Sequence, residues 1–137
     1  MEKNAENEPA EMACLMNKVQ QQELKAKDFG FYWENIHQLI EQIESECREV
    51  EEAWSNQDSI HLQEELGDLI HAALSLAVFC QVDLQETLQR SIQKFDKRYQ
   101  AVVQLAKEKG LENLHGHSFE DLLGYWRKAK IIARLRH

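Results

Sequence analysis

The chain has 137 residues, 43% hydrophobic and 29% charged, with one proline and five glycines. That is the length of one compact domain with a foldable balance, and too few turn-formers for an all-β sandwich. A net charge of −8 excludes a general nucleic-acid binder, which needs a basic surface to meet phosphates.

Residues 1 to about 10 are polar, acidic and contain Pro9, so they are expected to be flexible, with residues 11–137 forming a single domain. No apolar run follows a basic start, and no signal peptide is expected. A first helix is predicted from about Glu11 to Lys27, with Leu15, Met16, Val19 and Leu24 as a modest apolar stripe. The second is predicted from about Trp33 to Trp54, its core face marked by Ile36, Ile40, Ile43, Cys47, Val50 and Trp54. Ser55-Asn56-Gln57-Asp58 breaks it, and Asp58 or Ser59 caps a third helix from about Ile60 to Cys80. Asp83 caps a long fourth helix, with Phe95 and Tyr99 expected in the core, that ends at Gly110. Ser118-Phe119-Glu120-Asp121 resembles a capping box and opens a fifth helix to about Leu135.

Five helices on short loops imply an all-α antiparallel bundle. From Leu69 to Phe79 the third helix is apolar on nearly every face. Such a helix needs cover all round, either from the other four helices or, as the small size favours, from a homodimer or homotetramer. The apolar run is too short and too interrupted to span a membrane. Cys14, Cys47 and Cys80 form no metal or disulfide pattern, so a reducing cytoplasm is the expected setting.

Charge is unevenly distributed: residues 1–83 carry −13 and residues 84–137 carry +5. Much of this is solvated surface, but helical geometry singles out some positions. At about 100° per residue, Glu46 lies within roughly 60° of the stripe centre and Glu49 on the same flank, whereas Glu41 and Glu52 point away. A carboxylate at the edge of a core is costly unless paired or bound to a cation. On the third helix Glu65 and Asp68 stand one turn apart beside Gly67, a residue that costs roughly 1 kcal/mol in a helix and commonly permits a close approach. A short turn makes the two helices antiparallel neighbours, able to face up to four carboxylates across one seam. Oxygen-only ligands suit Mg²⁺ or Mn²⁺ and not zinc.

Glu46-Cys47-Arg48-Glu49-Val50, then Glu64-Glu65-Leu66-Gly67-Asp68-Leu69, resembles the E-x-x-E … E-L-G-D-L motif of the MazG nucleoside triphosphate pyrophosphohydrolases. Lys94-Phe95-Asp96-Lys97-Arg98-Tyr99 is similar to that family's K-F-x-x-R-[FY] stretch. Glu120 to Lys130, with Trp126, is similar to its closing helix. The resemblance covers roughly residues 33–131 and one unit, not the tandem form. It implies Mg²⁺-dependent hydrolysis of a (d)NTP to the monophosphate and pyrophosphate. Glu46, Glu49, Glu65 and Asp68 match the metal ligands and catalytic carboxylates; Lys94, Arg98, Trp126 and Lys130 match substrate contacts. The family's W-D-x-x-Q-T-H stretch is only partly echoed by Trp33-Glu34-Asn35-Ile36-His37, so the resemblance carries no role to Trp33 or His37. The implied partner is a nucleoside triphosphate, with neither nucleic acid nor membrane.

Two other readings fit parts of the sequence. One is a non-catalytic helical scaffold of the same fold. The other is a di-iron carboxylate bundle using Glu34 with His37 and Glu112 with His115, although the second pair falls in an expected loop.

Overall fold

The computed structural model describes residues 8–135. They form five helices: α1 (Glu8–Phe29), α2 (Ile36–Ser55), α3 (Ser59–Phe79), α4 (Leu84–Glu108) and α5 (Phe119–Leu135). The all-α expectation holds. Residues 1–7 of the expected flexible segment lie outside the described residues, and α1 starts three positions ahead of its predicted beginning. No single described helix is long and apolar enough to cross a membrane.

Side chains set most helix boundaries. Asn35 sits in extended backbone and accepts from the Gln38 amide, which starts α2 three residues after the predicted Trp33. Asp58 accepts from the His61 amide at 3.1 Å, Asp83 from the Glu86 amide at 2.7 Å, and Ser118 from the Asp121 amide at 3.2 Å. Gly30 and Gly110 take positive φ just beyond α1 and α4, where a left-handed residue closes the last turn.

The chain divides into two compact units, the first running to Thr87 and the second from Leu88. In the first, α3 packs against both α2 and α1. Glu46 shares a cavity wall with Asp68, and Ala53 shares another with Leu62, so α2 and α3 run antiparallel. In the second, Trp126 of α5 meets Phe95 of α4 with ring centroids 5.6 Å apart. Ala101, Ala106, Tyr125 and Ala129 are its buried residues.

Packing corrects two expectations about the core. The inward line of α2 is Leu39, Glu46 and Ala53, spaced seven apart, while Ile36, Ile40, Cys47 and Trp54 are exposed. The predicted stripe is therefore an edge of the buried face, and Glu46 lies near that face's middle. Phe95 and Tyr99, expected in the core, are each 56% exposed and stack on one another at 6.4 Å. Small residues farther along the helix, Ala101 and Ala106, take the inside positions instead. On α3 the residues Leu66 and Ile70 are left uncovered by α1 and α2.

Replacing Asp58 by Ala is expected to cost about 1 kcal/mol, the usual value of a lost helix cap. Leu39, 1% exposed, should cost about 2–5 kcal/mol on truncation to Ala. Urea denaturation followed by circular dichroism measures both, and the order of the two is the check.

Candidate active site: a carboxylate seam and its pocket

The α2–α3 turn fixes the site. Asn56, Gln57 and Asp58 join the helices, with Gln57 at φ 54. So short a link sets the register, and Glu46, Glu49 and Glu65 converge with one carboxylate oxygen from each within 4.8 Å of the others.

The three are held differently. Glu46 is buried; its Oε1 accepts from Gln42 Nε2 at 2.7 Å, while Oε2 is buried without a hydrogen-bond partner. Glu65 has Oε1 3.1 Å from His61 Nε2, and its Oε2 is likewise buried and unpartnered. Glu49 is exposed at the mouth. The neighbouring Glu65 carboxylate holds its carboxyl above the usual carboxylate range, partly opposed by the nearby Glu46. Some loss of solvation and the charge of Asp68 push the same way as Glu65.

Two orphaned buried carboxylate oxygens beside a third carboxylate are costly as they stand, by several kcal/mol in a dry setting. A hard divalent cation removes both problems, supplying a partner for the oxygens and cancelling the repulsion. The donor set, oxygen only, fits Mg²⁺ or Mn²⁺. Among the described residues no histidine nitrogen joins the three converging oxygens; His61 contacts Glu65 from outside the group. Of the alternative iron motifs, Glu112 and His115 lie in the loop between α4 and α5.

Beside the seam lies a cavity of about 440 Å³, within the range of small-ligand sites. Glu46 and Asp68 form part of its wall, and Phe31, Tyr32 and Trp33 line it from the α1–α2 connection. Asp68, expected as the fourth member, is not among the three converging carboxylates; it stands on this wall, near enough for its charge to act on Glu49. The aromatic run was missed by sequence reasoning for Phe31 and Tyr32, and no role was carried to Trp33. The trace was the partial W-D-x-x-Q-T-H match. His37 does not line the cavity. At Gly67 a Cβ would meet nothing within 4 Å. No described residue makes the close approach expected at that glycine.

In the second unit Arg98 stacks on Trp126, its Cζ 5.7 Å from the ring centroid, and Lys130 is exposed on α5. Lys94 is exposed on α4, one turn before Arg98.

A family model described as the MazG nucleotide pyrophosphohydrolase domain matches residues 34–103. The chain belongs to this family. All four carboxylates, Lys94 and Arg98 fall inside the matched span. Among curated relatives is the nucleoside triphosphate pyrophosphohydrolase/pyrophosphatase MazG of Thermotoga maritima, 35% identical over 105 residues. That alignment covers 77% of this chain and 40% of the relative. The nucleoside triphosphate pyrophosphohydrolase of Escherichia coli K12 is 27% identical over 124 residues, covering 89% of this chain and 46% of the relative. This MazG chain therefore spans less than half the length of each of these two relatives.

Two outcomes follow from the seam. Adding Mg²⁺ should raise the melting temperature of the wild-type chain, and Glu46→Gln should abolish that gain while leaving the metal-free protein as stable or more so. Without metal, the folded state keeps a proton on Glu49 at pH values where the unfolded chain has lost it. Stability should therefore fall as pH rises from the ordinary carboxylate range through Glu49's raised value, and Glu49→Gln should flatten that slope. Thermal melts across a pH series, with chelator and with Mg²⁺, test both.

Proposed function

We infer that this chain hydrolyses a nucleoside or deoxynucleoside triphosphate to the monophosphate and pyrophosphate, with Mg²⁺ or Mn²⁺ held by Glu46, Glu49, Glu65 and Asp68. The observation that carries this reading is a set of orphaned carboxylate oxygens that continues into the wall of an aromatic-lined cavity. The names of the two longer relatives, both nucleoside triphosphate pyrophosphohydrolases, support the same reaction.

Bound in the seam, a divalent ion supplies Lewis acidity, lowering the pKa of water and shielding phosphate charge. The chain's own residues account for the rest. Glu49, exposed and with a raised proton affinity, is the group suited to take the proton of the attacking water. Water adds at the α-phosphorus, the bond to the bridging oxygen breaks, and pyrophosphate departs with its charge. Glu46, buried and hydrogen-bonded to Gln42, is the rigid ligand that keeps its partners in register. Phe31, Tyr32 and Trp33 offer faces against which a base packs. Lys94, Arg98 and Lys130 are the proposed phosphate contacts, with Trp126 beside them, on the strength of their family motifs; cations there stabilise the leaving pyrophosphate.

The working unit in this reading is a homodimer or homotetramer. Leu66 and Ile70 on α3, and Leu88, Ile92, Phe95 and Tyr99 along α4, are large apolar residues left exposed, which a second copy of the chain would cover. Three exposed, unpaired cysteines suit a reducing cytoplasm.

A panel of ribo- and deoxyribonucleoside triphosphates with Mg²⁺, followed by release of pyrophosphate and monophosphate, tests the activity. Glu49→Gln should lower kcat by about 10²- to 10⁴-fold, the scale of a lost general base, with helicity unchanged. An inert wild type defeats the reading. Light scattering should give a multiple of 16.1 kDa, and Ile70→Asp should shift it toward the monomer.

A further inference from the structure

The cavity has a second polar end that the hydrolysis does not use. On α3 the cavity-lining residues Asp68, His71, Ala72 and Ser75 recur at helical spacing along one face. At 1.5 Å per residue, Ser75 lies about 10 Å along the axis from Asp68, two turns from the carboxylate seam. There α1 meets α3. Ser75, buried, donates through Oγ to Glu23 Oε1 at 2.7 Å, and its Oγ stands 3.4 Å from His71 Nδ1. His71 Nε2 is 3.1 Å from Gln22 Oε1. Glu23 is half-buried and lines the cavity with Ala26 beside it.

The geometry points to Glu23, oriented by Ser75, as the reader of the base edge, selecting a guanine-type edge with two adjacent N–H donors. This rests on the reading of the cavity as a nucleotide site. A carboxylate is acceptor-only, and Ser75 takes one of its roughly four lone-pair positions, leaving the others for a ligand. Guanine presents N1–H beside an N2 amino group, so it can make two parallel N–H···O bonds, the charge-assisted bidentate arrangement. Adenine and cytosine each offer a single amino donor next to a ring acceptor that a carboxylate oxygen repels. Uracil and thymine offer one N–H flanked by two carbonyls. Phosphates at the seam and a base stacked against Phe31, Tyr32 or Trp33 would turn the base's far edge toward Glu23. Ser75 then has a positioning role, holding one carboxylate rotamer.

The test separates base reading from catalysis by using monophosphates, which bind without reacting. Isothermal titration of the full-length chain should give GMP at least about tenfold tighter binding than IMP, which lacks only the 2-amino group, and than AMP or CMP. Glu23→Gln should erase the GMP/IMP difference, and Ser75→Ala should reduce it, with helicity checked by circular dichroism. Equal binding of GMP and IMP by the wild type overturns the inference and leaves Glu23–Ser75 as an interhelical tie. That result stands apart from the hydrolysis, since an active enzyme with no GMP preference loses only this inference. A GMP-selective but inert chain loses only the proposed reaction.

Discussion

Everything in the first unit is arranged around a carboxylate that the fold buries without fully satisfying. Glu46 sits near the middle of the inward face of α2, where a leucine would have packed at no electrostatic cost. Gln42 answers one of its oxygens and nothing answers the other. Glu65 repeats the pattern from α3, with His61 on one oxygen and the other left over. The helices cannot relax apart without exposing Leu39, Ala53 and Ala72, which the same seam buries. Hydrophobic packing thus holds like charges together, and the unfilled oxygens become binding capacity.

The sequence made the helices and the acidic quartet readable for local reasons. Asp58, Asp83 and Ser118 act through hydrogen bonds spanning three residues, which any linear reading can see. The i, i+3 spacing of Glu46 with Glu49 and of Glu65 with Asp68 is equally local. What escaped depends on which neighbour arrives. The apolar stripe of α2 read as its core face, yet α3 docks beside it, and Ile36, Ile40 and Trp54 stay outside. Phe95 and Tyr99 read as core by size, but in the second unit the buried positions of α4 fall to Ala101 and Ala106. Trp33 reads as the first residue of the second helix, but α2 starts at Ile36, and the place of Trp33 in the cavity follows from the connection between α1 and α2.

The two units divide the chemistry by charge. Nearly all the structural strain that a cation could relieve lies before Thr87, and the clustered lysines and arginines lie after Leu88. In the second unit Trp126 serves two purposes at once, since its ring packs on Phe95 and carries the Arg98 guanidinium on its face. A stacked guanidinium keeps its in-plane N–H donors free for an anion, which a solvated arginine does only at an entropic cost.

The turn at Asn56–Asp58 has a consequence in time as well as in space. Glu49 and Glu65 are close in sequence, so the seam is a local contact, and local contacts close early because little chain entropy is lost in forming them. On chain entropy alone, the repulsive cluster is therefore expected to come together before contacts between distant segments. Gln57, held in a left-handed conformation, adds its own resistance to that first step. For a hairpin with such a handicap, a divalent counter-ion would be expected to ease that first step, since it cancels the repulsion between the carboxylates that the turn brings together.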